Sequence, residues 1–387
     1  MCMSKNITLN SIFTEYAPKY LQKYNVSDYE KKIINNIIEC RTAAMGGRVE
    51  ECDSCGHKIT LYNSCRNRHC PLCQFMKKEK WIMDKQNEVL PYQYFHAVFT
   101  IPDELNPIVI RNKKVLYMLL FDTVKESLND VSGDKKYFGA KIGWFAILHT
   151  WGQKLNLHPH IHCVIPGGGY REDKKKWKEA KENFLLPVNV IKPKFKYYFL
   201  KGLKDLYKKG ELELYKTGLE DKKAFQKLVD NLFKKEWVVY LKETFKNSNS
   251  VIKYLSRYTH RIAISNYRIK EVIDDKVHFE YRDYKRENRK FIKSMDVLSF
   301  MRHFMLHIVP RRFVRIRYYG ILSCCNKEKS IESCYKYYEK KRIIIKAGSD
   351  WKDIYLRVTG KIIGNCSCCN KGRMIVKQVL VPERSPP

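Results

Sequence analysis

Along residues 1–50 the apolar positions recur at helical spacing, with Ile33, Ile34, Ile37 and Ile38 on one face and the pattern ending near Gly46-Gly47. Residues 51–75 lose that period and read as a cysteine-rich knot of turns, too short to bury a core of its own. From Tyr92 the period switches to that of strands, first in YQYFHAVFTIP and then, past a helical stretch over about 107–130, in GWFAILHTW and PHIHCVIPGGG. Residues 171–250 are Lys-rich, with helical periodicity in patches such as AFQKLVDNLFKKEWVVYLKETF. A helix is expected from Val251 to about Ser265, a hairpin from HFEYRDY and RKFIKS, and another helix from VLSFMRHFMLHIV before the basic stretch RRFVRIRYYG. Elements mixed in this way predict an α+β fold with an antiparallel sheet. The composition shifts along the chain suggest three parts: a helical, cysteine-bearing unit at 1–90, a large α+β unit at 91–310, and a basic region with a second cysteine cluster at 311–387.

Composition narrows what such a fold can be for. Hydrophobic residues make up 44% of the 387, enough for a real core, which excludes a disordered tail protein. The excess of 74 Lys+Arg over 41 Asp+Glu gives a net charge of +33, self-repelling unless a polyanion is bound, and nucleic acid is the commonest polyanion. No stretch of 18 uninterrupted apolar residues occurs, and the first residues carry neither the basic and apolar regions nor the cleavage site of a signal peptide. A soluble, cytoplasmic, nucleoid-associated protein with no membrane partner is therefore expected. A G-x-x-x-x-G-K-[ST] phosphate loop is also missing, so unwinding by this chain itself is not expected.

The 14 cysteines are clustered in a chain with no export signal, which favours metal over disulfides. Cys52 and Cys55 form one C-x-x-C, Cys70 and Cys73 another, with fourteen residues between the pairs. Two such knuckles complete a closed, structural Zn²⁺ site of four thiolates, with Cys65 available as a substitute ligand. Its binding energy orders a segment that has no core of its own. A second cluster around Cys366 and Cys369, with Cys324, Cys325 and Cys334 upstream, holds one proper knuckle, and zinc and inert thiols fit it equally.

His160 and His162 lie two apart on an expected strand, so both imidazoles point to one face while Ile161 and Cys163 enter the core. Such a pair either holds a divalent cation with open positions or forms a satisfied structural pair. His158 shares their parity, but Pro159 interrupts the strand. The Gly167-Gly168-Gly169 run reads as a turn. Tyr254 and Tyr258, at i and i+4, share a helix face with Val251 and Leu255. They are either core aromatics or phenols that Arg257 and Arg261 help to ionise, and periodicity does not decide between the two.

The segments SCRNRHCPLC, HPHIHCVIPGGG and VIKYLSRYTHRIAISN, in that order and framed by FHAVFTIP and FMRHFMLHIVPRRFVRIRYYGIL, closely resemble the double-tyrosine HUH transposases of the insertion-sequence-ninety-one family. HUH denotes His, hydrophobic, His, here His160-Ile161-His162. The resemblance covers most of the chain. It implies an antiparallel sheet flanked by helices, with the histidines on a central strand and the tyrosines on an adjacent helix. It also implies Mg²⁺ or Mn²⁺ at His160 and His162, a third ligand that this sequence does not place, and Tyr254 and Tyr258 as nucleophiles forming 5′-phosphotyrosine bonds. The implied partners are single-stranded DNA at element ends and target, with unwinding by a host helicase or by replication. Zinc knuckles, Lys-rich helices, Arg257 and Arg261, and aromatics such as Tyr267 and Tyr318 would hold the strand. Two other readings use the same residues: a metal-dependent hydrolase on H-x-H-x-H with buried tyrosines, and a zinc-dependent DNA-binding regulator without catalysis.

Overall fold

The computed structural model describes residues 7–245, 263–283, 286–342, 351–360 and 362–383. Two capped helices open it. In α1 (Leu9–Lys23), Thr8 and Ser11 satisfy each other's backbone N–H groups, and in α2 (Asp28–Glu39), Ser27 and Glu30 do the same. Ile33, Ile34 and Ile37 are buried as their spacing predicts, and Ile38 packs at the edge of the same core. The chain then runs β1 (Gly47–Cys52), β2 (Lys58–Tyr62), α3 (Gln74–Gln86) and β3 (Tyr94–Thr100), followed by α4 (Asn106–Arg111) and α5 (Lys113–Gly133). Next come β4 (Lys141–Trp151), β5 (Leu157–Pro166), β6 (Gly168–Arg171), β7 (Lys176–Glu179), α6 (Val188–Lys208), α7 (Lys222–Lys234) and β8 (Val238–Phe245). After residue 262 come β9 (Ile269–Ile273), β10 (Lys276–Asp283), β11 (Arg289–Asp296), α8 (Val297–Leu306), β12 (Ile316–Gly320), α9 (Lys327–Tyr337), α10 (Trp351–Thr359) and β13 (Met374–Leu380).

The architecture is α+β and every strand pair is antiparallel, as expected. A seven-stranded sheet runs in the order β7-β6-β4-β5-β3-β8, with β12 also beside β4. Alternation along β3, β4 and β5 gives this sheet two different faces. Phe95, Ala97 and Phe99, Ala146 and Leu148, and Ile161, Cys163 and Ile165 point into the main core, which α5 and α6 cover. Each of these larger apolar side chains contributes roughly 1.5–3 kcal/mol by leaving water. On the opposite face, Tyr94, Phe145, Ile147 and Val164 pack under Trp81 of α3 at one end and leave the histidines at the other.

Two expectations fail, each for a physical reason. The helical patch AFQKLVDNLFKKEWVVYLKETF is divided: α7 stops at Lys234, and the rest is the edge strand β8. Trp237 and Val239 are buried while Val238 and Tyr240 are exposed, a period of two that the flanking lysines obscure in the sequence. The three-part division along the chain is not a division in space either. β12 joins the central sheet and β13 pairs with β1, so the C-terminal region is threaded through both of the other parts. The N-terminal helices share one core with α8, β9 and β10, in which Phe13 meets Phe304 edge-on at 5.4 Å and the Tyr16 hydroxyl donates to Asp275 at 2.8 Å.

Candidate functional site

The neighbouring strands β4 and β5 bring three imidazoles together. His149 stands opposite His160 in the register, and His162 follows two residues on along β5. Ring nitrogens of His149, His160 and His162 all lie within 4.8 Å of one another. Ring centroids are 5.4 Å apart for His149 and His160, 4.5 Å for His149 and His162, and 4.8 Å for His160 and His162. His149 is thus the third potential ligand that the sequence left unplaced. His158 stands outside the group with its Nδ1 3.3 Å from an Asp103 carboxylate oxygen, where the β4–β5 register shifts around Pro159.

Close contacts orient these rings, and for His160 a carbonyl sets the tautomer. His160 donates Nδ1–H to the His158 carbonyl at 2.6 Å, so its Nε2 carries the lone pair. His162 Nδ1 lies 2.8 Å from His96 Nε2 on β3, and the two rings stack with planes 8° apart. Trp151 stacks on His149 at 4.5 Å and 22°. Burial pushes His160 and His96 down to about 4 and holds His162 well below the usual imidazole range. Neutral imidazoles at close range, one committed through Nδ1 to a carbonyl, are a donor set that fits a divalent cation. The chain's own part in such a site is to fix the ring orientations and to keep protons off them.

Beyond β3, the edge strand β8 continues the same face. Tyr240 pairs with Val98, which pairs with His162, and Val238 pairs with Thr100, which pairs with His160. Val238 and Tyr240 are 60% and 45% exposed, so an open apolar strip flanks the imidazoles. Tyr254, Tyr258, Arg257 and Arg261 follow β8 in the chain and lie outside the described residues, as does most of the helix expected from Val251 to about Ser265, whose last residues, 263–265, are not helical. Tyr267 is open to solvent, whereas Tyr318 packs between Phe145 and the Lys85 ammonium, which stands 4.4 Å from its ring centre. Burial pushes the Tyr318 phenol up to about 12. Its ring is half-buried.

The thiols gather differently from the expected Cys52, Cys55, Cys70, Cys73 set. Cys70 and Cys73 meet Cys40 and Cys65, all four buried and mutually within 4.8 Å, while Cys52 and Cys55 meet Cys366 and Cys369. Cys73 Sγ lies 3.5 Å from both Cys40 Sγ and Cys65 Sγ, close to the edge of about 3.8 Å of a tetrahedron with Zn–S bonds of about 2.3 Å. The first quartet therefore fits a closed tetrahedral zinc site, with Cys65 as a full member. Cys40 was missed because it ends α2, remote in sequence from the knuckles, and only the fold brings it back. His149 carried a weak signal: it alternates with Ile147 and Trp151 on a strand next to the histidine strand.

His307, buried beneath this region, provides a pH test of the fold. Its Nε2–H donates to the Leu155 carbonyl at 3.2 Å, and its Nδ1 accepts from the Thr150 hydroxyl at 3.3 Å. Burial pushes it down to about 3, so it stays neutral in the fold but takes a proton near pH 6.5 once unfolded. The unfolded chain then binds the extra proton, and stability is lost as pH falls below about 6.5, by about 1.4 kcal/mol per unit from this ring. Denaturant unfolding at pH 7 and pH 5 should show that loss, and His307→Gln should remove about 2 kcal/mol of the difference. An identical pH dependence in the two proteins would contradict the buried neutral ring.

Among the described residues no helix is long and apolar enough to cross a membrane. Two family models match the chain: a transposase zinc-binding domain over residues 12–101 and a putative transposase over residues 143–329. The first range holds the buried thiol quartet, and the second begins on β4 and includes all three imidazoles. The chain is 38% identical over 389 residues to the putative transposase y4qJ of Sinorhizobium fredii, covering 97% of this chain and 96% of that protein. It is 26% identical over 313 residues to the transposase for insertion sequence element IS801 of Pseudomonas savastanoi pv. phaseolicola, covering 78% of this chain and 72% of that one. No solved structure matches. Fold, thiols and these likenesses define a transposase with an N-terminal zinc-binding domain. Within that class, the chain belongs to the insertion-sequence-ninety-one family.

Proposed function

We propose that this transposase is a metal-dependent single-strand DNA endonuclease and strand transferase that works through 5′-phosphotyrosine intermediates, as in rolling-circle transposition. The observation that carries the reading is the convergence of His149, His160 and His162 on the sheet face that β8 leaves open. These three imidazoles would hold Mg²⁺ or Mn²⁺, which supplies charge withdrawal at a scissile phosphate. The His158 carbonyl keeps the His160 ring in the required tautomer, and His96 holds the His162 ring in place.

One phenol, Tyr254 or Tyr258, attacks phosphorus and gives up its proton; the 3′ oxygen leaves and takes one up, and the new ester keeps the energy of the broken phosphodiester. Rejoining then needs no ATP. While one tyrosine holds the first strand, the other cuts a second, so donor and target ends are exchanged in one site. Arg257 and Arg261 lower the cost of phenolate and neutralise backbone phosphates. Exposed Tyr240 and Tyr267 offer rings to unpaired bases. The substrates are single-stranded element ends and target, and opening of the duplex comes from a host helicase or from replication.

Incubation with end-labelled single-stranded DNA carrying the element terminus should leave label on the denatured protein. A hydrolase would release cut DNA with no label on the protein, and a regulator would leave the DNA intact. Because the donors are all nitrogen, Mn²⁺ should support the adduct at a lower concentration than Mg²⁺. Label transfer that survives exhaustive chelation would remove the metal from the mechanism.

A further inference from the structure

We infer that the chain binds a second structural zinc ion, outside the matched zinc-binding range alone, at Cys52, Cys55, Cys366 and Cys369. This ion would clasp the two ends of the protein together. The four Sγ atoms lie within 4.8 Å of one another, with Cys52 to Cys369 at 3.7 Å and Cys55 to Cys366 at 3.6 Å. Those separations lie near the edge of about 3.8 Å of a tetrahedral zinc thiolate and well above the bond length of about 2.05 Å of a disulfide. All four are free thiols.

The two C-x-x-C segments are built alike although they come from opposite ends of the chain. In each, the residue after the second cysteine turns back through a left-handed conformation, Gly56 at φ +72° and Asn370 at φ +56°. Their N–H groups donate to the carbonyls of Cys52 and Cys366 at 3.1 and 3.0 Å. Backbone N–H groups also point at sulfur: Ser54 at Cys52 and Cys368 at Cys366, both at 3.4 Å, and Gly372 at Cys369, at 3.3 Å. Amides aimed at sulfur stabilise thiolate, the form that binds metal.

The surrounding backbone holds the two knuckles face to face. β13 pairs with β1 from Gly47–Leu380 to Cys52–Met374, Asp53 N–H donates to the Arg373 carbonyl at 3.0 Å, and Arg373 N–H donates to the Asp53 carboxylate at 2.8 Å. Gly372 sits so close that a Cβ there would lie 2.4 Å from Cys52 Sγ. β13 is otherwise a largely exposed strand with little apolar contact, so the metal would supply what its side chains do not.

The full-length chain, purified without chelator, should contain about two zinc ions by elemental analysis. Cys366→Ser/Cys369→Ser should lower that to about one, and so should Cys70→Ser/Cys73→Ser. A wild-type content of one zinc, iron in place of the second zinc, or a double variant that keeps two overturns the inference. A measurement on the unaltered protein does not depend on variants that fold: alkylation of the native chain read by peptide mass. Exposed Cys324, Cys325 and Cys368 should be modified quickly, while Cys55, equally exposed, is protected together with Cys369 until a strong chelator is added. Labelling of Cys55 at the rate of Cys325, or its protection as a disulfide, overturns the assignment.

Discussion

His160→Ala is expected to reduce cutting of single-stranded DNA by about a hundredfold or more while the variant still binds the strand, since loss of a metal ligand outweighs the 10–100-fold typical of its supporting partners. The ring is half-buried at the mouth of the histidine cluster, so its removal opens less of a void than removal of buried His149 or His162. It also deletes one of the three imidazoles that, among the described residues, lie mutually within 4.8 Å, and leaves two of them. The lost step is expected to be chemical, because the basic surfaces proposed to neutralise phosphates are untouched. His96→Phe should give a smaller loss, about 10–100-fold, by removing the hydrogen-bond partner that holds the His162 ring, and extra Mn²⁺ should recover part of it. The checks are cleavage rate against metal concentration, a gel-shift titration, and circular dichroism. A His160→Ala protein that cuts at the wild-type rate would remove the imidazoles from the reaction.

Tyr254→Phe/Tyr258→Phe should form no covalent DNA adduct at all. The change removes two oxygen atoms and little volume, while both candidate nucleophiles vanish. Each single variant should keep one half of the exchange, giving cleavage without joining or an adduct on the remaining phenol alone. Peptide mass mapping of the adduct identifies the phenol, and a labelled double variant would show that neither tyrosine is the nucleophile. This outcome is separable from that of His160→Ala: loss of the phenols should abolish the adduct at every metal concentration, whereas loss of an imidazole should raise the metal concentration that cutting requires.

The histidine strand was legible because its chemistry and its fold use the same period of two. Ile161 and Cys163 are fully buried on the helix-covered side, and His160 and His162 face the other way. His149 was only weakly legible, since its alternation gave it a face but its place beside His160 depends on the β4–β5 register. β8 was misread because Lys234 and Lys235 just before it and Lys242 within it continue the Lys-rich helical pattern of α7. The thiols show the same division. That these are metal-type knuckles follows from their spacing, but which knuckles share an ion does not.

By itself the sequence determined the strongly basic charge, the metal-binding kind of the cysteines, the α+β class and the identity of the two β5 imidazoles, because each depends on composition or on neighbours a few residues away. Tertiary structure alone decided the third imidazole, the regrouping of Cys70 and Cys73 with Cys40 and Cys65, and the meeting of Cys52 and Cys55 with Cys366 and Cys369. The reason is one of distance along the chain: a ligand set is closed by residues that strand pairing and a shared core bring within a few ångströms, and pairing of β1 with β13 joins segments that no local period connects.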